Sequence, residues 1–131
     1  MNVSQQQWTR DAGWSAGDGA ASPAADLVLV FGEGRALTDP AVLAPLRARY
    51  AEAIVFGCST AGEIAGTSVR EETVVATALD FAGTRVHLAA TNIEGEGDSF
   101  LAGRRLAQDL AAPGLTHVFV PVSYTHLTLP T

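Results

Sequence analysis

The sequence predicts an α/β fold: a βαβ unit plus an antiparallel hairpin in a mixed sheet packed by helices. Three observations carry this expectation. Two unbroken apolar runs of strand length, "DLVLVFG" (Asp26–Gly32) and "AIVFG" (Ala53–Gly57), have the composition of strands buried on both faces. The segment between them, "TDPAVLAPLRARYAEA", combines helical spacing with a helix-start signature. After Glu71 come short strand-type segments and one further capped helix.

Taken in order, residues 1–25 are rich in Gln, Ser, Gly and Ala and show no sustained period. They read as a flexible N-terminal leader with Trp8, Trp14 or both docked on the domain. Asp26–Gly32 is the first buried strand, broken by Gly32 and Gly34. In the following helix Thr38 or Asp39 can cap the start, and Pro40 suits the first turn, where its missing N–H costs nothing. Leu43, Leu46 and Tyr50 form the expected apolar stripe, while Pro45 must kink the helix or displace its start. Ala53–Gly57 is the second strand, parallel to the first, because a helix between two strands returns the chain in the same direction.

"ETVVATALDF" and "TRVHLAAT" are expected to pair as a hairpin through "AGT", Ala82 to Thr84. "DSFLAGRRLAQDLAA", Asp98 to Ala112, begins with a capping residue and stops before Pro113-Gly114, with Gly103, Leu106, Ala107 and Leu110 as its packing face. "LTHVFVPV" reads as one more buried strand. Residues 122–131 follow no helical, strand or capping logic and read as a non-native tail, the native domain continuing beyond them. His126 and Tyr124 accordingly carry no functional weight.

Composition removes several classes of function. The net charge is −6, and all 8 basic residues are arginine, so there is no electrostatic footprint for nucleic acid or an anionic bilayer. No apolar run approaches the roughly 20 residues of a membrane helix, so no membrane insertion is expected. Cys58 is the only cysteine; a lone thiol fits a reducing compartment, and a cytoplasmic location is expected.

Chemistry concentrates in "VFGCSTAGEI", Val55 to Ile64, where an apolar strand gives way to small polar residues and one acid. Carboxyl ends of strands are where α/β sheets place ligands, since backbone amides and loop side chains converge there. Gly57, Cys58, Ser59, Thr60, Gly62 and Glu63 are the candidate ligand-binding residues. The stretch is no Walker loop, because the chain has no lysine, and "FGEGRAL" holds only a fragment of a dinucleotide pattern. His87, His117 and Cys58 lie too far apart in sequence for a metal motif, and no two carboxylates are spaced for acid–base work. No catalytic residue and no metal site is assigned, and the protein is expected not to be an enzyme. A Cys- or Ser-dependent hydrolase is the alternative, since Cys58 or Ser59 could act as nucleophile if a base were supplied. A protein-interaction scaffold is the third reading.

Over roughly residues 26–120 the chain resembles the N-terminal half of the FIST domain, a sensory module of bacterial signalling proteins also found in some eukaryotic F-box proteins. The resemblance is carried by "DLVLVFG" leading to a helix, by "VFGCSTAGEI", and then by the hairpin and the helix "FLAGRRLAQDL". Gly57, Cys58, Ser59, Thr60, Gly62 and Glu63 fall on the family's Gly-Cys-Ser-Thr-x-Gly-Glu pattern. It implies an incomplete FIST N-terminal-like domain over 26–121, sensing a small-molecule ligand such as an amino acid and coupled to a signalling output. The partners implied are a C-terminal companion half and an output domain or protein. Some relatives look like haem-based nitric oxide sensors, but neither His87 nor His117 matches a family ligand, so no cofactor is expected.

Overall fold

The computed structural model describes residues 1–16, 24–93, 95 and 97–121. The chain divides into two compact units, Met1–Val86 and His87–Thr131. Among the described residues the first contains nine elements in chain order: strands β1 (Asn2–Thr9), β2 (Gly13–Trp14) and β3 (Leu27–Gly32), helices α1 (Gly34–Thr38) and α2 (Pro40–Arg49), and strands β4 (Ile54–Ser59), β5 (Glu63–Ala65), β6 (Ser68–Arg70) and β7 (Val74–Asp80). Five strands form a mixed sheet in the order β2-β1-β7-β3-β4, and β5 and β6 make a separate two-stranded ribbon. The expected α/β class and mixed sheet are present.

The βαβ unit is formed, but its strands are not buried on both faces as expected: β3 is buried only at alternate residues, and β4, at the sheet edge, has no buried residue and runs past Gly57 to Ser59. β3 and β4 are parallel and in register from Leu27↔Ile54 to Gly32↔Ser59. Asp39 caps α2, its Oδ1 accepting from the Ala41 amide at 2.9 Å, and Pro40 occupies the first turn. The helix runs through Pro45, which lies on its exposed side. Its buried stripe is Val42, Leu46 and Tyr50, with Leu43 only half-buried. A short helix that periodicity did not announce, α1, precedes it. The Glu33 carboxylate builds its start by accepting from the Arg35 and Ala36 amides, both at 2.9 Å. These stripes pack with Val28 and Val30 of β3 and with Val74, Ala76 and Ala78 of β7 into one hydrophobic core.

Three further expectations need correction. The supposed leader supplies β1, which pairs antiparallel with β7 from Asn2↔Asp80 to Trp8↔Val74. β7 is a central strand, and β1 covers the side that β3 leaves open. Its polar residues conceal it in the sequence. Both indoles do pack against the core, and Trp14 Nε1 donates to the Val42 carbonyl at 2.8 Å. Second, residues 84–91 do not pair with β7 as a hairpin; β7 already has a neighbour on each side, so its hydrogen-bonding edges are taken. The antiparallel pair arises instead from Glu63–Ala65 and Ser68–Arg70, directly after the motif.

Third, in the second unit residues 115–121 are not a strand. Apolar content signals a preference for burial, but a strand also requires a ladder with a neighbour. The expected helix is there as α3 (Ser99–Leu110), ending ahead of Pro113-Gly114. Its inward residues are Ala102, Leu106 and Leu110, four apart, whereas Gly103 and Ala107 are exposed. Asp98, at the helix start, forms an ion pair with Arg105 at 3.0 Å. The proposed tail at 122–131 lies outside the described residues. Among the described residues no helix is long and apolar enough to cross a membrane.

Candidate functional site

Parallel pairing brings the carboxyl ends of β3 and β4 together, so Gly57 lies opposite Val30 and Ser59 opposite Gly32, just before α1. The six candidate residues then separate into two groups. Gly57, Cys58 and Ser59, the last three residues of β4, are exposed. Thr60 and Gly62 are half-buried, and Glu63 is only 2% exposed.

Gly57 serves the backbone. A Cβ placed there would collide with the Val30 carbonyl group of the neighbouring strand, so any side chain would force β3 and β4 apart. Gly32 is similarly confined, because its Cβ would lie 2.8 Å from Val74 Cγ2 and 2.9 Å from the Thr73 oxygen. Gly62 is under no such constraint; a Cβ there would meet Val69 Cγ1 at an ordinary 3.5 Å. A Cβ on Gly34 would come within 3.8 Å of Ser59 Cβ, which places Ser59 against the chain entering α1.

A carboxylate buried as deeply as that of Glu63 needs its lone pairs occupied, since desolvation without partners costs several kcal/mol. The Thr60 hydroxyl donates to Oε1 at 2.7 Å. The Thr73 amide and hydroxyl both donate to Oε2, at 3.2 and 2.8 Å. Two backbone bonds complete the arrangement: the Thr60 amide donates to the Gly32 oxygen at 2.9 Å, and the Glu33 amide to the Thr73 oxygen at 2.9 Å. The turn after β4, the end of β3 and the start of β7 are thereby tied into one ring of hydrogen bonds. Glu63 is its knot. Thr73 is the member that sequence reasoning missed. Ten residues separate it from Glu63, with no motif to join them; the only available signal was a lone acid among small neutral residues, which had to find donors somewhere.

Beside this ring, the amides of Arg35 and then Ala36 hold the Glu33 carboxyl below the usual value of 4.5, because they donate to its ionised form. Cys58 is a free, exposed thiol. Among the described residues no group of three or more His, Cys, Asp or Glu is placed to hold a metal ion. His87 and His117 belong to the second unit.

A family model described as the FIST N domain matches residues 26–129 of this chain. No curated protein and no solved structure matches it.

Proposed function

The chain belongs to the FIST N domain family, whose members are sensory domains of signal transduction, and from that premise we propose that it senses a small amino-acid-like metabolite at the end of β4. The supporting observation is the division within the motif. Gly57, Cys58 and Ser59 offer exposed small side chains and main-chain groups, while Thr60 and Glu63 fix the turn behind them. A binding surface held by rigid bonds needs little ordering when ligand arrives, and this preserves affinity. Glu63 acts in this reading as the support of the surface rather than as a contact, since its oxygens already accept three hydrogen bonds. The lone thiol fits a reducing cytoplasm, where the ligand-bound form would be read by an output domain or partner protein. The reading needs no cofactor and no catalytic step.

Cys58 is the only cysteine and it sits within the proposed surface, so it can report occupancy. The test is the rate at which a thiol reagent labels the full chain with each of the common amino acids at millimolar concentration. A ligand at this surface should slow labelling at least tenfold at saturation, and the Ser59→Trp variant should lose that protection. An amino acid that raises the melting temperature while leaving Cys58 labelling unchanged would place the binding site elsewhere.

A further inference from the structure

Beyond Gly62 the chain leaves the main sheet and makes the β5–β6 ribbon, a pair of three-residue strands in register from Glu63↔Arg70 to Ala65↔Ser68. Two-stranded ribbons of this length are not stable alone in water. Nor does burial hold this one: Ala65 is half-buried, and every other residue from Ile64 to Arg70 is exposed, Ile64 at 65% and Val69 at 70%. Fixed points are few. At the root stand Glu63 and Thr73, both buried and bonded to each other. At the tip, the Gly66 amide donates to Gln5 Oε1 at 2.9 Å. Gln5 is itself steadied on β7, its Nε2 donating to Thr77 Oγ1 at 3.2 Å. The strand returning from the ribbon passes through Glu72, which has φ of +57°, a left-handed conformation that is strained for a residue with a side chain.

We propose that residues 64–72 form a latched flap, which opens as a unit about Ile64 and Glu72 and is caught at its tip by the Gly66–Gln5 hydrogen bond. Hinges are the few terminal positions that absorb a change in φ and ψ. Ile64, exposed and just beyond the anchored Glu63, is free to do so, and Glu72 relaxes when its left-handed turn is released. The root stays in place because Glu63 and Thr73 are buried, so opening costs the latch and little apolar burial. Local openings of this kind are drawn from elements with few buried contacts and exposed backbone bonds. The flap goes beyond the sensing reading and does not rest on it, because the root that bonds Thr60 stays in place in both forms. The flap itself is a property of the unliganded chain, and its failure would leave ligand binding untouched.

Amide hydrogen exchange on the full chain without ligand tests it, comparing the wild type with Gln5→Leu and Gln5→Glu. In the wild type, residues 64–70 should exchange at least tenfold faster than residues 74–80. Gln5→Leu removes the acceptor and should speed the ribbon about fivefold further while leaving β7 unchanged, the effect of losing one hydrogen bond in a local opening. Gln5→Glu retains an acceptor and should stay within about twofold of the wild type. The proposal is overturned if the ribbon and β7 exchange together in the wild type, if Gln5→Leu leaves the ribbon unchanged or speeds both segments equally, or if Gln5→Glu behaves like Gln5→Leu. Should Gln5→Leu not fold, the order of wild-type rates and the Gln5→Glu result decide.

Discussion

Glu63 shows how one buried carboxylate can organise a loop that looks, in sequence, like a set of separate small residues. Its three donors come from two threonines, and the responses to substitution differ accordingly. In Glu63→Gln the amide oxygen can still accept from Thr73, and the Thr60 hydroxyl can rotate to accept from the new NH₂ group. That change should cost about 1 kcal/mol. Glu63→Leu leaves the Thr73 amide and both hydroxyls facing an apolar side chain, and should cost about 3 kcal/mol or more. Urea unfolding of the two variants checks this, and equal losses would mean that the Thr60 hydroxyl is not free to turn. The loop was legible as a site because five small or hydroxyl-bearing residues followed an apolar run of strand length. Its internal division was not. Which hydroxyl meets the acid depends on where β7 begins, and no local pattern in 57–63 encodes the position of Thr73.

At the scale of elements, α1 rests on a single capping residue. Both Glu33 oxygens accept from helix amides, which favours the ionised carboxylate and lowers its pKa from the usual 4.5. A depressed folded pKa contributes stability that is present above 4.5 and is lost as pH falls through the lower folded value. Glu33→Gln should therefore be less stable than the wild type near pH 7, with the gap narrowing as pH falls below 4.5 and through the lower folded value. Unfolding midpoints at a series of pH values measure this, and a gap independent of pH would assign the effect to shape rather than charge. The neighbouring elements were readable to different degrees. β3, α2 and β4 declare themselves through continuous apolar runs and an Asp-Pro start. β1 does not: its central "SQQQ" lacks the apolar alternation of a half-buried strand, yet Gln6 is 6% exposed and meets Tyr50 Oη and Arg49 Nη1 at 3.5 and 3.4 Å. Residues 84–91 err in the opposite direction. They have strand-like composition, but β1 and β3 already flank β7. Composition reports what a segment tolerates, and pairing depends on which edges other segments have filled.

For the molecule as a whole, the distribution of the core decides what can stand alone. Of the buried hydrophobic residues among those described, all but Ala102 lie at or before Ala78. Both sheets, α1 and α2 also fall within Met1–Val86. That unit contains its own apolar interior and the full ring around Glu63. A fragment of residues 1–86 should therefore unfold in a single cooperative urea transition, with the strand signature of the full chain in far-ultraviolet circular dichroism. Removing residues 1–9 from that fragment should abolish the transition. The deletion strips one side of β7 of its ladder, takes Trp8 from the core, and leaves Tyr50 without the Gln6 amide. A polar terminal segment would then be as necessary to the fold as the apolar strands it covers. Were the shortened fragment to unfold as cooperatively as the longer one, β1 would be an accessory to a sheet already complete with β7, β3 and β4.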